Sequence, residues 1–285
     1  MNISEQERIV KLDETGFGII HEFRPRAYTP AHWHRAVELV YFIRGKVSCK
    51  FSHGMIHGEP GQMCIINSHD VHETRCSRDA KYLVVHILPS MMCRYVANFD
   101  MLHFSLVHDP EDREKARAYE KLRCNLEAIC HQHSQAPDAN QLEQHVWLFE
   151  SADILVKYFS TPLAIEETEL TRSDMNRLEP VLEHIQLHHE QELPLDWAAD
   201  TMGLNREYFC RLFKKNMGIS YLQYLNQVRA AAVCRELEVS DDPIGEIGQR
   251  HGFTDSKMMN RYFRDLYGCT PSEKRKFFRE MKVEI

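Results

Sequence analysis

Two groups of residues in this 285-residue chain carry chemically useful side chains at regular intervals. The first is His32-x-His34-x3-Glu38, with Gly45 after six further positions, then Gly61 and, eleven residues on, His72. Three imidazoles and a carboxylate form a donor set that suits a divalent metal such as zinc, iron, nickel or manganese. Without a metal, the same side chains hydrogen-bond sugar hydroxyls or one another, and both readings stay open. The second group is a phrase that occurs twice, fifty residues apart: Arg211-Leu-Phe213-Lys214-Lys-Asn-Met-Gly218-Ile-Ser220 and Arg261-Tyr-Phe263-Arg264-Asp-Leu-Tyr-Gly268-Cys-Thr270. A small residue, three free positions and a glycine precede each copy (Ala199 to Gly203, Gly248 to Gly252). Repetition of this kind marks duplicated supersecondary units.

Each unit reads as helix, tight turn, helix. In the first, Leu195 to Met202 is a short helix, Gly203-Leu-Asn205 the turn, and Asn205 the cap of a helix ending near Met217. Tyr208, Phe209, Leu212 and Phe213 fall on one side at helical spacing, as do Met258, Met259, Tyr262 and Phe263 in the second unit. The opposite sides carry Arg206, Glu207, Cys210, Arg211, Lys214 and Lys215, then Ser256, Lys257, Asn260, Arg261 and Arg264. Long donors on the second helix of such a pair suit base edges in the DNA major groove, and the lysines suit phosphates. Tyr221 to Leu237 between the units is helix-forming, with Leu222, Leu225, Val228, Ala232 and Val233 as its buried stripe. Its length, roughly 25 Å at 1.5 Å per residue, holds two reading helices about one DNA turn apart, roughly 34 Å. Aromatics and leucines also build plain helical core, but that reading leaves the repeated basic positions unexplained.

The tail, from about Asp174 to Phe278, resembles the DNA-binding domain of AraC/XylS-type transcription regulators. The matching stretches are Leu-Asn-Arg-Glu-Tyr-Phe-Cys-Arg-Leu-Phe-Lys-Lys (204–215), Gly-Phe-Thr-Asp-Ser-Lys-Met-Met-Asn-Arg-Tyr-Phe-Arg (252–264) and Gly-Cys-Thr-Pro (268–271). The resemblance implies that Arg206, Glu207, Cys210 and Arg211 form one groove-facing set and Ser256, Lys257, Asn260 and Arg261 the other. Cys210 departs from the longer polar side chain common there, and Lys274-Arg275 replaces the usual tyrosine-arginine.

Charge agrees with two jobs in one chain. The net charge is −7, yet residues 194–282 carry fifteen Lys and Arg against twelve Asp and Glu, while residues 1–193 sum to −9. An acidic front and a mildly basic tail fit one DNA-binding domain joined to something else. Nine cysteines without a C-x-x-C pair argue for a reducing compartment, and the polar start and lack of an eighteen-residue apolar run point to cytoplasm with no membrane partner.

The elements positioning the histidines are expected to be short strands: Gly16–Phe23, Leu39–Ile43, Lys46–Phe51, Met63–Ile66 and Tyr82–Leu88, separated by Arg44-Gly45, His53-Gly54 and Glu59-Pro60-Gly61. They predict a small all-β sandwich or barrel. Its histidine spacing resembles the two motifs of the cupin barrel, the first lacking only its leading glycine. The second motif carries Asn67 for its proline, His69 for its second glycine and Cys76 for its asparagine. Inward residues His32, His34, Glu38, Tyr41, His72 and Tyr82 are the expected effector pocket, with a carbohydrate or related metabolite as ligand. Trp33 and His86 are further candidates for the pocket: Trp33 points opposite to His32 and His34, which also suits surface or an interface, and His86 shares a face with Tyr82 and also reads as a core histidine.

After Asp109-Pro110 the pattern turns helical to about His131, with Ala118, Leu122, Leu126 and Ile129 on one side; Ser134–Asn140 is a loop. A second helix, Leu142–Phe159, is apolar all round and suits either a subunit interface or the core of a larger sensor domain. The domain expectation is a cupin-like barrel over 1–105, a dimerising helical pair over 106–160, a linker over 161–173 and an all-α domain with two helix-turn-helix units over 174–285. In that tail domain, Pro180 falls near the first turns of the opening helix. The expected function is an effector-controlled, non-enzymatic transcription regulator that acts on double-stranded DNA as a homodimer, and on RNA polymerase if it activates. The competing reading is a metal-dependent cupin enzyme, an isomerase or dioxygenase, with a helical appendage.

Overall fold

The computed structural model describes residues 16–23, 28–51, 54–77, 79–107, 111–135, 141–163 and 165–283. The polar start, the Asp109-Pro110 signal and positions 136–140 of the expected loop lie outside them. Two compact units result: residues 33–170 with strand β1 (Phe17–Phe23), and residues 171–283 with strand β2 (Tyr28–His32).

In the front unit, β1, β8 (Lys81–Ile87), β3 (Val37–Arg44) and β6 (Met63–Ile66) form one antiparallel sheet in the order β1-β8-β3-β6. In the second sheet β7 (His72–Cys76), β4 (Val47–Phe51) and β5 (Gly54–Gly58) lie side by side. Strand β3 reads as a continuous apolar run because both its faces are covered. Val40 and Phe42 pack between the sheets with Val47, Cys49, Phe51, Ile66, Tyr82 and Val84. Val37, Leu39 and Tyr41 face α2 (Arg113–Gln135) and α3 (Gln141–Tyr158), which follow the short helix α1 (Pro89–Met92) and strand β9 (Leu102–Phe104). Ala118, Leu122, Leu126 and Ile129 form the buried stripe of α2, as their spacing predicted, and Asp112 caps it by accepting the Glu114 and Lys115 amides. The helix starts at Arg113 and continues to Gln135, past the expected end at His131.

Among the described residues, strands β2, β5, β7 and β9 were not expected from the sequence. Strand β7, His-Glu-Thr-Arg-Cys, has no apolar alternation; its pairing with β4, from Phe51 opposite His72 to Val47 opposite Cys76, makes it a strand. The linker expected over 161–173 is also corrected. Ser160–Pro162 forms strand β10 against β9, and helix α4 runs from Ile165 to His188. Its glutamates are good helix formers and lie in the first turns, where the helix dipole favours acids. Pro180, expected near the start of that helix, lies well inside it.

The back unit contains α5 (Leu195–Thr201), α6 (Arg206–Met217), α7 (Tyr221–Val239), α8 (Ile244–Arg250), α9 (Ser256–Tyr267) and α10 (Pro271–Val283). Asn205 caps α6 as expected, Asp255 caps α9, and Ser220 with Gln223 makes a capping box on α7. Gly218 and Gly268 end α6 and α9 with φ of 72° and 66°, the left-handed conformation that explains why the repeated phrase keeps a glycine there. Phe209, Phe213, Tyr221 and Tyr224 stack edge to face around α6 and α7. Ala230, Val233, Ile247, Met259 and Phe263 form a second core, which Tyr28 joins. Two expected core residues are corrected: Tyr208 and Leu222 are exposed, each on the outer side of its helix.

Lys274, which stands where a tyrosine is usual, is buried. Its ammonium lies 5.0 Å from the Phe278 ring centroid and 5.2 Å from that of Tyr267, so its stem and charge fill an aromatic surround. Arg275 donates to the Asp242 carbonyl, tying α10 to the loop before α8. Nearby, His251 donates Nε2–H to Glu236 and meets His189 through Nδ1. Among the described residues, no helix is long and apolar enough to cross a membrane.

A Cβ on Gly58 would overlap the Phe42 ring. Gly58→Ala is therefore expected to destabilise the front unit by about 1–3 kcal/mol, read as a lower urea midpoint. Burial lowers the His251 pKa below 6.5, as does the neighbouring His189, against the pull of Glu236. Its contribution to stability is complete above pH 6.5 and is lost as pH falls through the folded-state pKa. His251→Asn should flatten the decline of Tm between pH 7 and 5 relative to the parent; an unchanged slope would refute this.

Candidate functional sites: a histidine–glutamate cluster and two basic helix faces

The first site is built by register. Glu38 on β3 stands opposite His86 on β8, and both point between the sheets, the face that also holds Val40, Phe42, Tyr82 and Val84. His34 Nε2 and His86 Nε2 each lie 2.7 Å from Glu38 Oε1, and His72 Nε2 lies 3.8 Å from Oε2. Ligand atoms of His34, Glu38 and His72 fall within 4.8 Å of one another.

Proton positions follow from the acceptors. His34 Nδ1 is 2.9 Å from the Ala36 carbonyl and His72 Nδ1 is 2.9 Å from the Asp70 carbonyl, so both nitrogens carry hydrogen. Their Nε2 atoms are thereby aimed at the carboxylate. Burial opposes charge on Glu38, but the His34 and His86 imidazoles outweigh it and hold the carboxyl well below its usual range. Burial likewise opposes a proton on His34, yet Glu38 wins and raises its pKa. His72 goes the other way: burial depresses it to about 4 despite Glu38. The cluster thus balances one imidazolium against one carboxylate, with the lone pair of a neutral His72 directed inward. His86 donates Nε2–H to Glu38, and its Nδ1 has no hydrogen-bond partner among the described atoms.

The other expected residues divide. His32 closes β2 in the back unit and donates Nδ1–H to the Pro30 carbonyl. Tyr82 lies on the inner face but pairs in register with Phe42, away from Glu38. Tyr41 is corrected: odd-numbered on β3, it faces the helices, and its hydroxyl donates to Glu127 on α2. Trp33 is buried and stacks 5.1 Å from His69. His69, at the second glycine position of the cupin-like motif, has a positive φ of 68°, held by its backbone bond to the His34 carbonyl and by Ser68. Asn67, at the motif's proline position, holds both polar groups of the Phe104 peptide. The sequence offered His86 as a further pocket residue on a face with Tyr82; its register opposite Glu38 is a tertiary fact.

The second site is the pair of outward faces on α6 and α9. Arg206, Glu207, Cys210, Arg211, Lys214 and Lys215 are exposed on α6, as are Ser256, Lys257, Arg261 and Arg264 on α9, with Asn260 half-buried. Several are lightly tethered: Arg206 to Asp196 at 3.0 Å, Lys215 to Asp174 at 3.2 Å, and the Arg261 guanidinium over the Tyr262 ring. Exposed ion pairs contribute only about 0–1 kcal/mol, so a phosphate can take either cation away from its carboxylate. Asp174 and Asp196 lie outside the repeated phrase, which is why the spacing did not show these tethers.

The family described as AraC-like ligand binding domain matches residues 17–149, and the one described as Helix-turn-helix domain matches residues 198–276. An uncharacterized HTH-type transcriptional regulator of Staphylococcus aureus (strain MRSA252) is 20% identical over 236 residues, 82% of this chain; the chain spans 31% of that relative's length. The probable transcriptional regulator LumQ of Photobacterium leiognathi is 21% identical over 248 residues, covering 87% of this chain and 92% of LumQ. Among solved structures, ToxT of Vibrio cholerae shares the fold at a TM-score of 0.53 and 12% identity, over 92% of this chain and 98% of ToxT. With the ligand-binding match over its β-sheets and the helix-turn-helix match over its repeated helices, the chain belongs to the AraC family of transcription regulators.

Proposed function

We propose that the protein reads a specific DNA sequence through α6 and α9 and changes its grip when a small molecule binds the front unit. The observation that carries this is the duplication itself: two capped, glycine-terminated helices expose basic faces while burying equivalent aromatics. Arg211 and Arg261 are assigned to base edges, with Arg206, Glu207, Cys210, Ser256, Lys257 and Asn260 beside them. Lys214, Lys215 and Arg264 are assigned to phosphates. Ligand binding acts by shifting the population of arrangements in which both helices engage. The reading as a metal-dependent isomerase or dioxygenase leaves the repeated basic helices without a purpose, so we read the chain as non-enzymatic. As an activator it would also meet RNA polymerase.

A divalent metal is a second part of this proposal. Two buried Nε2 atoms, each aimed by a backbone carbonyl behind the ring, beside a carboxylate are how proteins orient metal ligands. His34, Glu38 and His72 would hold the ion. The ion would take the place of the His34 Nε2 proton, and His86 would orient the carboxylate. A homodimer is the third part: Leu142 and Val146, one turn apart on α3, are exposed apolar side chains beside the partly buried Phe149.

Arg211→Ala and Arg261→Ala are each expected to weaken operator binding by about 1–3 kcal/mol and to relax preference at one base pair, measured by gel shift at fixed salt with single-base operator variants. Binding equal to the parent's would refute the assignment. Lys214→Ala with Lys215→Ala should instead lower the slope of log affinity against log salt, by roughly 1 for each phosphate no longer neutralised, and leave base preference intact. Protein purified without chelator should contain close to one equivalent of transition metal by elemental analysis, and Glu38→Gln should lose most of it; a metal-free parent sinks the metal proposal alone.

A further inference from the structure

The repeated phrase puts α6 and α9 in one-to-one correspondence, each residue of one standing fifty positions from its counterpart in the other. Both helices have 12 residues, both are capped by a side chain (Asn205 or Asp255), and both end on a left-handed glycine. The inner faces match: Phe209 and Met259 are buried, as are Phe213 and Phe263. The outer faces share an arginine, Arg211 or Arg261, but not the residue one turn before it. There α6 exposes Glu207 and α9 exposes Lys257, opposite charges at equivalent places.

Packing does not account for a carboxylate there. The Glu207 side chain is 89% exposed and stands 4.0 Å from the Arg211 guanidinium on the next turn. An exposed pair at that distance contributes little, so other donors compete for the carboxylate. Close to DNA the charge repels phosphates, a cost that only a donor on the duplex offsets. Base edges in the major groove are mainly acceptors: guanine N7 and O6, adenine N7 and thymine O4. Donors are confined to the amino groups of cytosine and adenine. A carboxylate, which only accepts, fits cytosine N4; at adenine the neighbouring N7 lone pair repels its second oxygen. An ammonium only donates, so Lys257 fits guanine O6 and N7 instead. The N-terminal turn of such a helix is the part that meets base edges, and both residues lie in it.

We propose that Glu207 is a specificity-determining residue that reads cytosine in the short base sequence, or box, under α6, and that Lys257 reads guanine at the corresponding pair of the box under α9. The inference rests on the reading of α6 and α9 as the DNA-reading helices and supplies its base chemistry. The two boxes are then alike at the pair met by Arg211 or Arg261 and differ at the pair beside it. Two other roles for Glu207 lead to different outcomes. An acid in the first turn interacts favourably with the helix dipole, a role that sets stability and not sequence preference. A partner of Arg211 would aim that guanidinium, and its loss would relax the same base pair as Arg211→Ala.

The test selects binding sites from a pool of randomised duplexes, using the full chain as parent, Glu207→Gln, Glu207→Lys and Lys257→Glu. The parent should select two boxes, one with cytosine and the other with guanine at the corresponding pair. Glu207→Gln is expected to change the cytosine to adenine, because an amide matches adenine N6 and N7, and Glu207→Lys to change it to guanine. Lys257→Glu should replace guanine by cytosine in the other box. In gel shift each variant should prefer its new base over the parent's by about tenfold. Both side chains are exposed, so the substitutions remove no core contact, and thermal melts confirm folding. Unchanged preference in both Glu207 variants, whether or not Tm falls, overturns the proposal in favour of the helix-dipole role. Loss of preference confined to the pair that Arg211→Ala relaxes also overturns it, leaving Glu207 a positioning residue. In both cases the parent still selects a sequence and the DNA-reading assignment stands. A parent that selects none refutes that assignment and the proposal together.

Discussion

A carboxylate with 8% of its surface exposed needs compensation, and the front unit is arranged around providing it. Glu38 is the second residue of β3 and is followed by the apolar run Leu39–Ile43, so an unpaired charge there would shift the equilibrium toward neutralisation or unfolding. Two imidazoles at 2.7 Å supply the hydrogen bonds, and one of them supplies the charge. The arrangement depends on register, because slipping β8 by one residue against β3 would turn His86 to the helix face and bring Val85 or Ile87 opposite Glu38. Packing on both sides of β3 holds that register: Val40 and Phe42 on the inner face, Leu39 and Tyr41 against α2 and α3. The buried charge and the two-sided core therefore support each other.

The back unit follows a different constraint. Its two basic-faced helices, α6 and α9, at 12 residues each, are near the length at which an isolated helix is marginal. Caps at Asn205 and Asp255, glycine terminators at Gly218 and Gly268, and aromatic packing through Phe209, Phe213 and Phe263 supply what propensity does not. This frees the outer faces of any structural duty. They carry arginines and lysines whose internal partners, Asp174 and Asp196, hold them only weakly. Rigid inner faces and loosely tethered outer cations are what a surface that exchanges partners requires.

Much of this was legible from pattern. The duplicated phrase announced two equal units because helical periodicity and glycine stops are local properties; α6 and α7 end within two residues of where spacing put them. The α2 stripe was equally readable. Spacing failed where structure is held by partners distant in sequence: β7 is a strand because β4 lies beside it, and residues 165–173 are helix although their composition resembles a linker. Tyr208 and Leu222 failed for another reason, since a helical face says which residues share a side but not how far coverage extends round it.

The candidate site divides along the same line. By itself the sequence determined which donors are available, His34, Glu38 and His72, and which cations stand on the recognition helices, because residue type and short-range periodicity are written in the chain. Tertiary structure alone decided that His86 completes the carboxylate's hydrogen bonding and that Tyr41 turns away toward Glu127. Those outcomes depend on strand register, which is set by contacts between residues tens of positions apart, to which local pattern is blind.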